Sequence, residues 1–195
     1  QKMLFNSIDF AIFLPIIFIL YWFVANKNLK IQNILIVAAS YIFYGWWDSR
    51  FLSLIIFSTL VDYLIGVGLS KQKNQTKRKI LLWTSISINI GFLGFFKYCN
   101  FFIDNFTSAF SFFGTEINAN SLNIILPVGI SFYKFQTLSY TIDVYKRRLQ
   151  PTKDLIAFSA FVSFFPQLVA GPIERASNLL PQFYIKRHFD YSKAV

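Results

Sequence analysis

Leu122 to Arg148 reads LNIILPVGISFYKFQTLSYTIDVYKRR, and it decides the fold class. It is long enough to cross a bilayer, since a crossing helix needs about 20 residues. Yet Lys134 sits near its middle, and Gln136, Thr137, Ser139, Tyr140, Thr141 and Asp143 follow. Pro127 and Gly129 interrupt its first third. A charge at the centre of a bilayer costs about 2.5–3.5 kcal/mol or more, so these groups must face protein or a water-filled cavity. At about 100° per residue the polar positions sort into two stripes. Lys134, Thr137 and Thr141 form one; Gln136, Ser139, Tyr140 and Asp143 form the other. Two readings stand: a helix lining a polar passage, or a structural helix whose lysine pairs with a buried carboxylate.

The rest of the chain supports a membrane setting. Of 195 residues, 55% are hydrophobic and 20% aromatic, with mean hydropathy +0.48. That composition belongs to an all-α polytopic membrane protein. A net charge of +10 would suggest nucleic acid in a soluble domain. Here the cations cluster in short loops between apolar spans, which excludes that partner. A lone cysteine, Cys99, allows no internal disulfide and no multi-cysteine metal site. It reads as a filler. The single histidine, His188, lies in the polar context KRHFDY, so neither a zinc site nor an obvious base is present.

In order, apolar spans are expected at Ile8–Ala25, Ile31–Trp47, Phe51–Leu69, Ile80–Phe96, the Leu122–Arg148 stretch and Asp154–Ala170. That makes about six helices, with broken or re-entrant segments. The first is too long, and too poor in basic leader, for a signal peptide; Met3 is its expected start. Tyr41, Tyr44, Trp46 and Trp47 mark a membrane–water interface at the end of the second. Asp62 lies well inside the third, and depth alone suggests that it pairs with Lys134. Asn100–Asn120 reads as an interfacial or partly re-entrant helix followed by a polar loop. Pro166 and the Gly171–Pro172 step break the last span, which is expected only inside protein or at a cavity.

Loop charge sets the orientation. With the N-terminus outside, the inner loops hold Lys27, Lys30, Lys71, Lys73, Lys77, Arg78, Lys79, Lys146, Arg147, Arg148 and Lys153. The outer loops hold only Lys2, Arg50 and Lys97. This asymmetry predicts an outside N-terminus. The basic tail would then return to the inside if the last span is re-entrant.

No nucleophile elbow, P-loop, dinucleotide fingerprint, zinc-protease motif or glycosidase carboxylate pair occurs. Two motifs carry the reading further: PVGISFYKFQTLSYTIDVYK (127–146) and FFPQLVAGPIER (164–175). With MLFNSIDFAIFLP (3–15) and SYIFYGWWD (40–48), they resemble the membrane-bound O-acyltransferase family. The nearer resemblance is to its bacterial branch of alginate O-acetylation and teichoic-acid D-alanylation proteins. It covers nearly the whole chain in order.

The resemblance implies a ring of helices around a thin, pierced centre. Through it an acyl group, usually acetyl, passes from a cytoplasmic thioester to an outer hydroxyl. The donor implied is acetyl-CoA or a carrier-protein thioester, with no bound cofactor or metal. The implied partners are membrane lipid, a polysaccharide acceptor, and an extracytoplasmic acetyltransferase or acyl carrier protein. The implied location is the bacterial cytoplasmic membrane.

The family's catalytic histidine lies on a later helix, and His188 does not match it. Residues 1–195 are therefore expected to be the N-terminal part of one longer multi-spanning domain. This part is expected to supply the passage wall: Lys134, Gln136, Thr137, Tyr140 and Thr141, with Arg175 of the GPIER turn. Arg175 or Lys134 could attract donor phosphates or an acidic carrier. Two other classes compete: a transporter or channel built on broken helices, and a non-catalytic membrane scaffold. A transporter is disfavoured by the lack of an internal repeat between the two halves.

Overall fold

The computed structural model describes residues 7–112, 129–172 and 174–187. All regular structure among them is helical. The main helices are α1 (Ile8–Ile19), α2 (Leu29–Trp47), α3 (Ser49–Lys71), α4 (Gln75–Phe112), α5 (Ile130–Tyr145), α6 (Leu155–Ser163), α7 (Phe165–Ala170) and α8 (Ala176–Leu179). A π turn and a 3₁₀ turn, Leu20–Val24 and Ala25–Lys27, extend α1.

Short polar residues start these helices by meeting their free N–H groups. Ser7 Oγ accepts from Phe10 N at 3.2 Å, and Asn28 Oδ1 from Lys30 N at 2.9 Å. Asp48 Oδ1 accepts from Arg50 N at 2.9 Å, so one residue suffices to turn α2 into α3. Asn74 Oδ1 accepts from Thr76 N at 2.8 Å to open α4, and Asp154 Oδ1 from Ile156 N at 2.9 Å to open α6.

Three segments are long and apolar enough to cross a membrane: Ile8–Lys27, Ser49–Lys71 and Gln75–Tyr98. Their outward faces carry large exposed apolar side chains, among them Ile8, Phe23, Leu64, Ile80 and Trp83. Such a belt suits lipid rather than water. Helix α2 has a similar length but spends Gln32, Asn33 and Ser40 on the interior, which lowers its hydropathy.

The structure corrects the sequence reading at three places. First, the fourth span and the proposed interfacial segment are one helix. α4 runs unbroken from Gln75 to Phe112, about 57 Å at 1.5 Å per residue, well beyond the roughly 30 Å hydrocarbon core. Asn105 is tolerated because it is exposed and donates to the Phe101 carbonyl at 2.7 Å. The polar loop expected after it lies outside the described residues, as do His188 and the side chain of Cys99.

Second, Asp154–Ala170 is not one continuous helix. α6 has nine residues, about 14 Å, and its last seven, Ala157 to Ser163, are buried on every side. A helix apolar all round belongs in a core. It packs against α2, α3 and α5. Phe164 then breaks the path before α7. Among the described residues, three helices are long and apolar enough to cross and Leu155–Leu168 is a shorter apolar segment.

Third, Arg78, read as one more loop cation, is buried at 5% exposure. Its guanidinium donates to the Leu69 carbonyl, to Val144 O at 3.2 Å and to Tyr145 O at 2.8 Å. One α4 side chain thus satisfies the C-terminal carbonyls of both α3 and α5, which have no intrahelical donor. It also lies 5.7 Å from the Tyr145 ring.

Gly129 opens α5 at φ +77°, and a Cβ there would meet Leu168 O at 3.1 Å. Chain direction into α5 and contact with α7 both depend on it. Two stability outcomes follow, measurable by unfolding in detergent micelles. Arg78→Ala should cost roughly 3 kcal/mol by stranding buried carbonyls, whereas the exposed Lys79→Ala should stay within about 0.5 kcal/mol. Gly129→Ala should cost about 1–2 kcal/mol from the left-handed backbone alone, while Gly91→Ala, with open space around its Cβ, should not destabilise.

Candidate functional site: a buried polar seam around α5

Helix α5 uses the two stripes that its sequence shows. The Lys134–Thr137–Thr141 stripe faces α3 and α4. Lys134 Nζ donates to Ser58 Oγ of α3 at 2.8 Å and lies 4.8 Å from the centre of the Phe92 ring. Thr137 Oγ1 donates to Asn89 Oδ1 of α4 at 3.3 Å. Thr141 Oγ1 donates to the Thr137 carbonyl at 3.2 Å and lies 3.3 Å from Ser85 Oγ.

Asp62 of α3 stands at the centre of this cluster, 1% exposed. Its Oδ1 accepts from Ser85 Oγ at 2.8 Å and from Asn89 Nδ2 at 2.9 Å. Asp62 and Lys134 therefore share one buried cluster, but among the described residues they make no ion pair within 4.0 Å. Depth along two helices fixes axial level, not rotation about each axis. Lys134 is turned to Ser58 and the aromatic rings, and Asp62 to α4. Ser58, Ser85 and Asn89 were missed from the sequence because single small polar residues in apolar spans look unremarkable. Their signal was position: Ser85 and Asn89 are four apart on one helix face.

The second stripe faces the other way. Ser139 Oγ accepts from Ala176 N of α8 at 3.3 Å, which ties the GPIER turn to α5. Tyr140 OH accepts from Thr152 N at 3.1 Å, and its ring centre lies 4.7 Å from that of Phe158 in α6. A Cβ on Gly66 of α3 would come within 2.5 Å of the Tyr140 hydroxyl, so only glycine admits this tyrosine. Tyr184 donates to Thr152 Oγ1, extending the link to the tail. Burial pushes the Tyr184 phenol above its usual range, while the Thr152 hydrogen bond acts the other way.

Lys134, Gln136, Thr137, Tyr140 and Thr141 are all buried, at 2% exposure or less. Arg175 is not with them: it is exposed, and its carbonyl starts α8 by accepting from Asn178 N at 3.0 Å. Lys134 is buried and its ammonium is engaged by Ser58 Oγ. Some hydrogen-bonding capacity is unspent. Among the described residues both amide atoms of Gln136 and Gln32, and the hydroxyls of Tyr44 and Tyr133, have no partner. Unpaired buried polar groups cost about 1–3 kcal/mol each and mark places where polar groups can be met. No group of three His, Cys, Asp or Glu side chains able to hold a metal occurs among the described residues.

Comparison with known proteins adds kinship. The chain is 40% identical over 190 residues to "Probable alginate O-acetylase AlgI" of Pseudomonas putida, covering 95% of this chain and 38% of that protein. It is 38% identical over 189 residues to the protein of the same name in Azotobacter vinelandii, covering 95% and 37%. It is 31% identical over 213 residues to "Peptidoglycan O-acetyltransferase" of Helicobacter pylori, covering 95% and 40%. The chain thus spans well under half the length of the relatives it matches. No family model and no solved structure matches it.

The cluster makes a double-mutant prediction. Asp62→Asn and Lys134→Met should each destabilise the bundle, because each leaves the other charge uncompensated. The double variant should be less destabilised than the sum by about 0.5–3 kcal/mol, read from unfolding of all four proteins. Strict additivity would show that the two charges do not sense each other.

Proposed function

We propose that the chain belongs to the membrane-bound O-acyltransferase family and forms part of an O-acetyltransferase acting on a cell-surface polysaccharide. The observation that carries this reading is the match, across 95% of the chain, to proteins named as O-acetylases of two different polymers. In the proposed reaction the acceptor hydroxyl attacks the carbonyl of a cytoplasmic thioester. The C–S bond breaks, the ester C–O bond forms, and the hydroxyl proton leaves with the thiol by way of a general base. That base is expected to be a histidine on a later helix, outside residues 1–195, as the resemblance implies.

This portion would supply the wall of the passage and the rigid frame behind it. Gln136 and Tyr140 on one stripe of α5, and Lys134, Thr137 and Thr141 on the other, are the wall residues we assign. The unspent amide of Gln136 supports that role, since it can meet a passing ester or carbonyl oxygen. Arg175, exposed beside α8, is the candidate for contact with an acetyl-CoA or carrier-protein donor. We place the protein in the bacterial cytoplasmic membrane with its N-terminus outside. An extracytoplasmic acetyltransferase could receive the acetyl group before the polymer does.

The test uses the full-length protein in cells, measuring base-labile acetate on the surface polysaccharide. Gln136→Leu, a near-isosteric loss of the amide, should lower transfer roughly tenfold, about 1.4 kcal/mol, while protein abundance stays level. Arg175→Ala should weaken donor use without changing acceptor choice. Polysaccharide acetylation untouched by deletion of the gene would overturn the whole reading. Normal transfer in Gln136→Leu would overturn only the wall assignment.

A further inference from the structure

At one end of the bundle, the α3–α4 connection and the α5–α6 connection line a half-open cavity of about 270 Å³. This is the end where Lys71 closes α3 and Lys146 follows α5. Its lining includes three cations, Lys73, Arg78 and Arg147, together with the polar side chains of Ser70, Gln72 and Gln150. No carboxylate lines it.

The charge balance is unusual. Arg78 is buried and its hydrogen bonds end on carbonyls at the C-termini of α3 and α5, whose partial negative charge offsets part of its own; among the described residues no carboxylate lies within ion-pair distance of it. Buried charges are ordinarily paired. Arg147 is held at φ +58°, a left-handed backbone that arginine rarely adopts. The hydrogen bonds Arg147 N to Val144 O at 3.1 Å and Arg148 N to Asp143 O at 2.9 Å lock that turn. Arg147 and Lys73 both line the cavity, and both are exposed.

We propose that this cavity is a binding site for a phosphate-bearing anion. Phosphate offers several acceptor oxygens and at least one negative charge, which matches the fork-shaped guanidinium of Arg147, the ammonium of Lys73 and three neutral polar groups, with Arg78 behind them. The volume leaves room for such a group with bridging waters, each of which occupies about 30 Å³ in the liquid. An anionic phospholipid headgroup and a soluble phosphorylated metabolite share this chemistry. Basic pockets between helix ends suit the first, and an aqueous opening beside exposed Lys73 suits the second. The site stands on its own charge balance and does not depend on the acyl-transfer reading.

The full chain, purified in a zwitterionic environment, gives the test. Thermal unfolding is followed with inorganic phosphate against chloride at matched ionic strength. In parallel, it is followed in nanodiscs of phosphatidylcholine with and without phosphatidylglycerol. The variants are the double Lys73→Gln/Arg147→Gln, the single Arg147→Gly, and Lys79→Gln as an exposed cation off the cavity. Arg147→Gly keeps the left-handed turn, so it separates loss of charge from loss of fold. Occupancy should raise the wild-type transition by roughly 2–4 °C or more. Apparent affinity should fall roughly tenfold in Arg147→Gly and further in the double variant, with Lys79→Gln unchanged. Stabilisation by inorganic phosphate identifies a soluble ligand; stabilisation only by phosphatidylglycerol identifies the lipid headgroup. No stabilisation in either arm, or equal stabilisation in the double variant, overturns the site.

Discussion

Two charges at mid-depth, Asp62 and Lys134, must be kept out of hydrocarbon, and much of the fold around α5 answers to that need. Neither can be left bare, since a lone buried charge is far more costly than any single contact here is favourable. The chain surrounds them with small donors and acceptors from three helices: Ser58, Ser85, Asn89, Thr137 and Thr141. Small side chains let α3, α4 and α5 approach closely, and their hydroxyls and amide bring hydrogen bonds that lipid lacks. The same requirement explains why α5 needs neighbours on both sides. Its second polar stripe is covered by α6, α8 and Thr152, so the helix is enclosed rather than lipid-facing.

Helix ends are the second place where polar groups must be satisfied. The C-termini of α3 and α5 are met by a single buried arginine from α4, so three helices share one fixed point. Aromatic packing then holds the opposite side of the core. Phe43 of α2, Phe165 of α7 and Phe10 of α1 meet edge-to-face or tilted with ring centres 5.3–6.4 Å apart, which docks the first span onto the α6–α7 break. Side-chain polarity governs the middle of the bundle and aromatic volume governs this flank.

Much of this was legible in the residues themselves. The stripes on α5 followed from helical period, and the structure uses both. The all-α membrane class followed from composition and apolar runs, and the kinship with O-acetylases followed from motifs in order. What stayed hidden was rotational and contextual. Asp62 and Lys134 share a level, but only packing could turn one toward α4 and the other toward Ser58. Arg78 looked like any loop cation because nothing local reveals that two helix ends converge on it. Residues 97–105 suggested a helix end, KYCNFFIDN, yet α4 continues through them, with Asn105 exposed and bonded to its own helix. α6 had the composition of a crossing span; its burial and its end at Phe164 come from neighbours, not from its own sequence.

That short helix has an electrical consequence. Nine residues of α6 cover at most about 14 Å of a hydrocarbon layer roughly 30 Å thick. If water reaches both ends of it, the transmembrane voltage falls over less than half the usual distance and the local field more than doubles. Carrying one elementary charge through that region costs about 2.3 kcal/mol per 100 mV, whatever the thickness. A neutral acetyl group costs nothing against the same voltage. A segment this short discriminates charged from neutral groups by electrical work as well as by size.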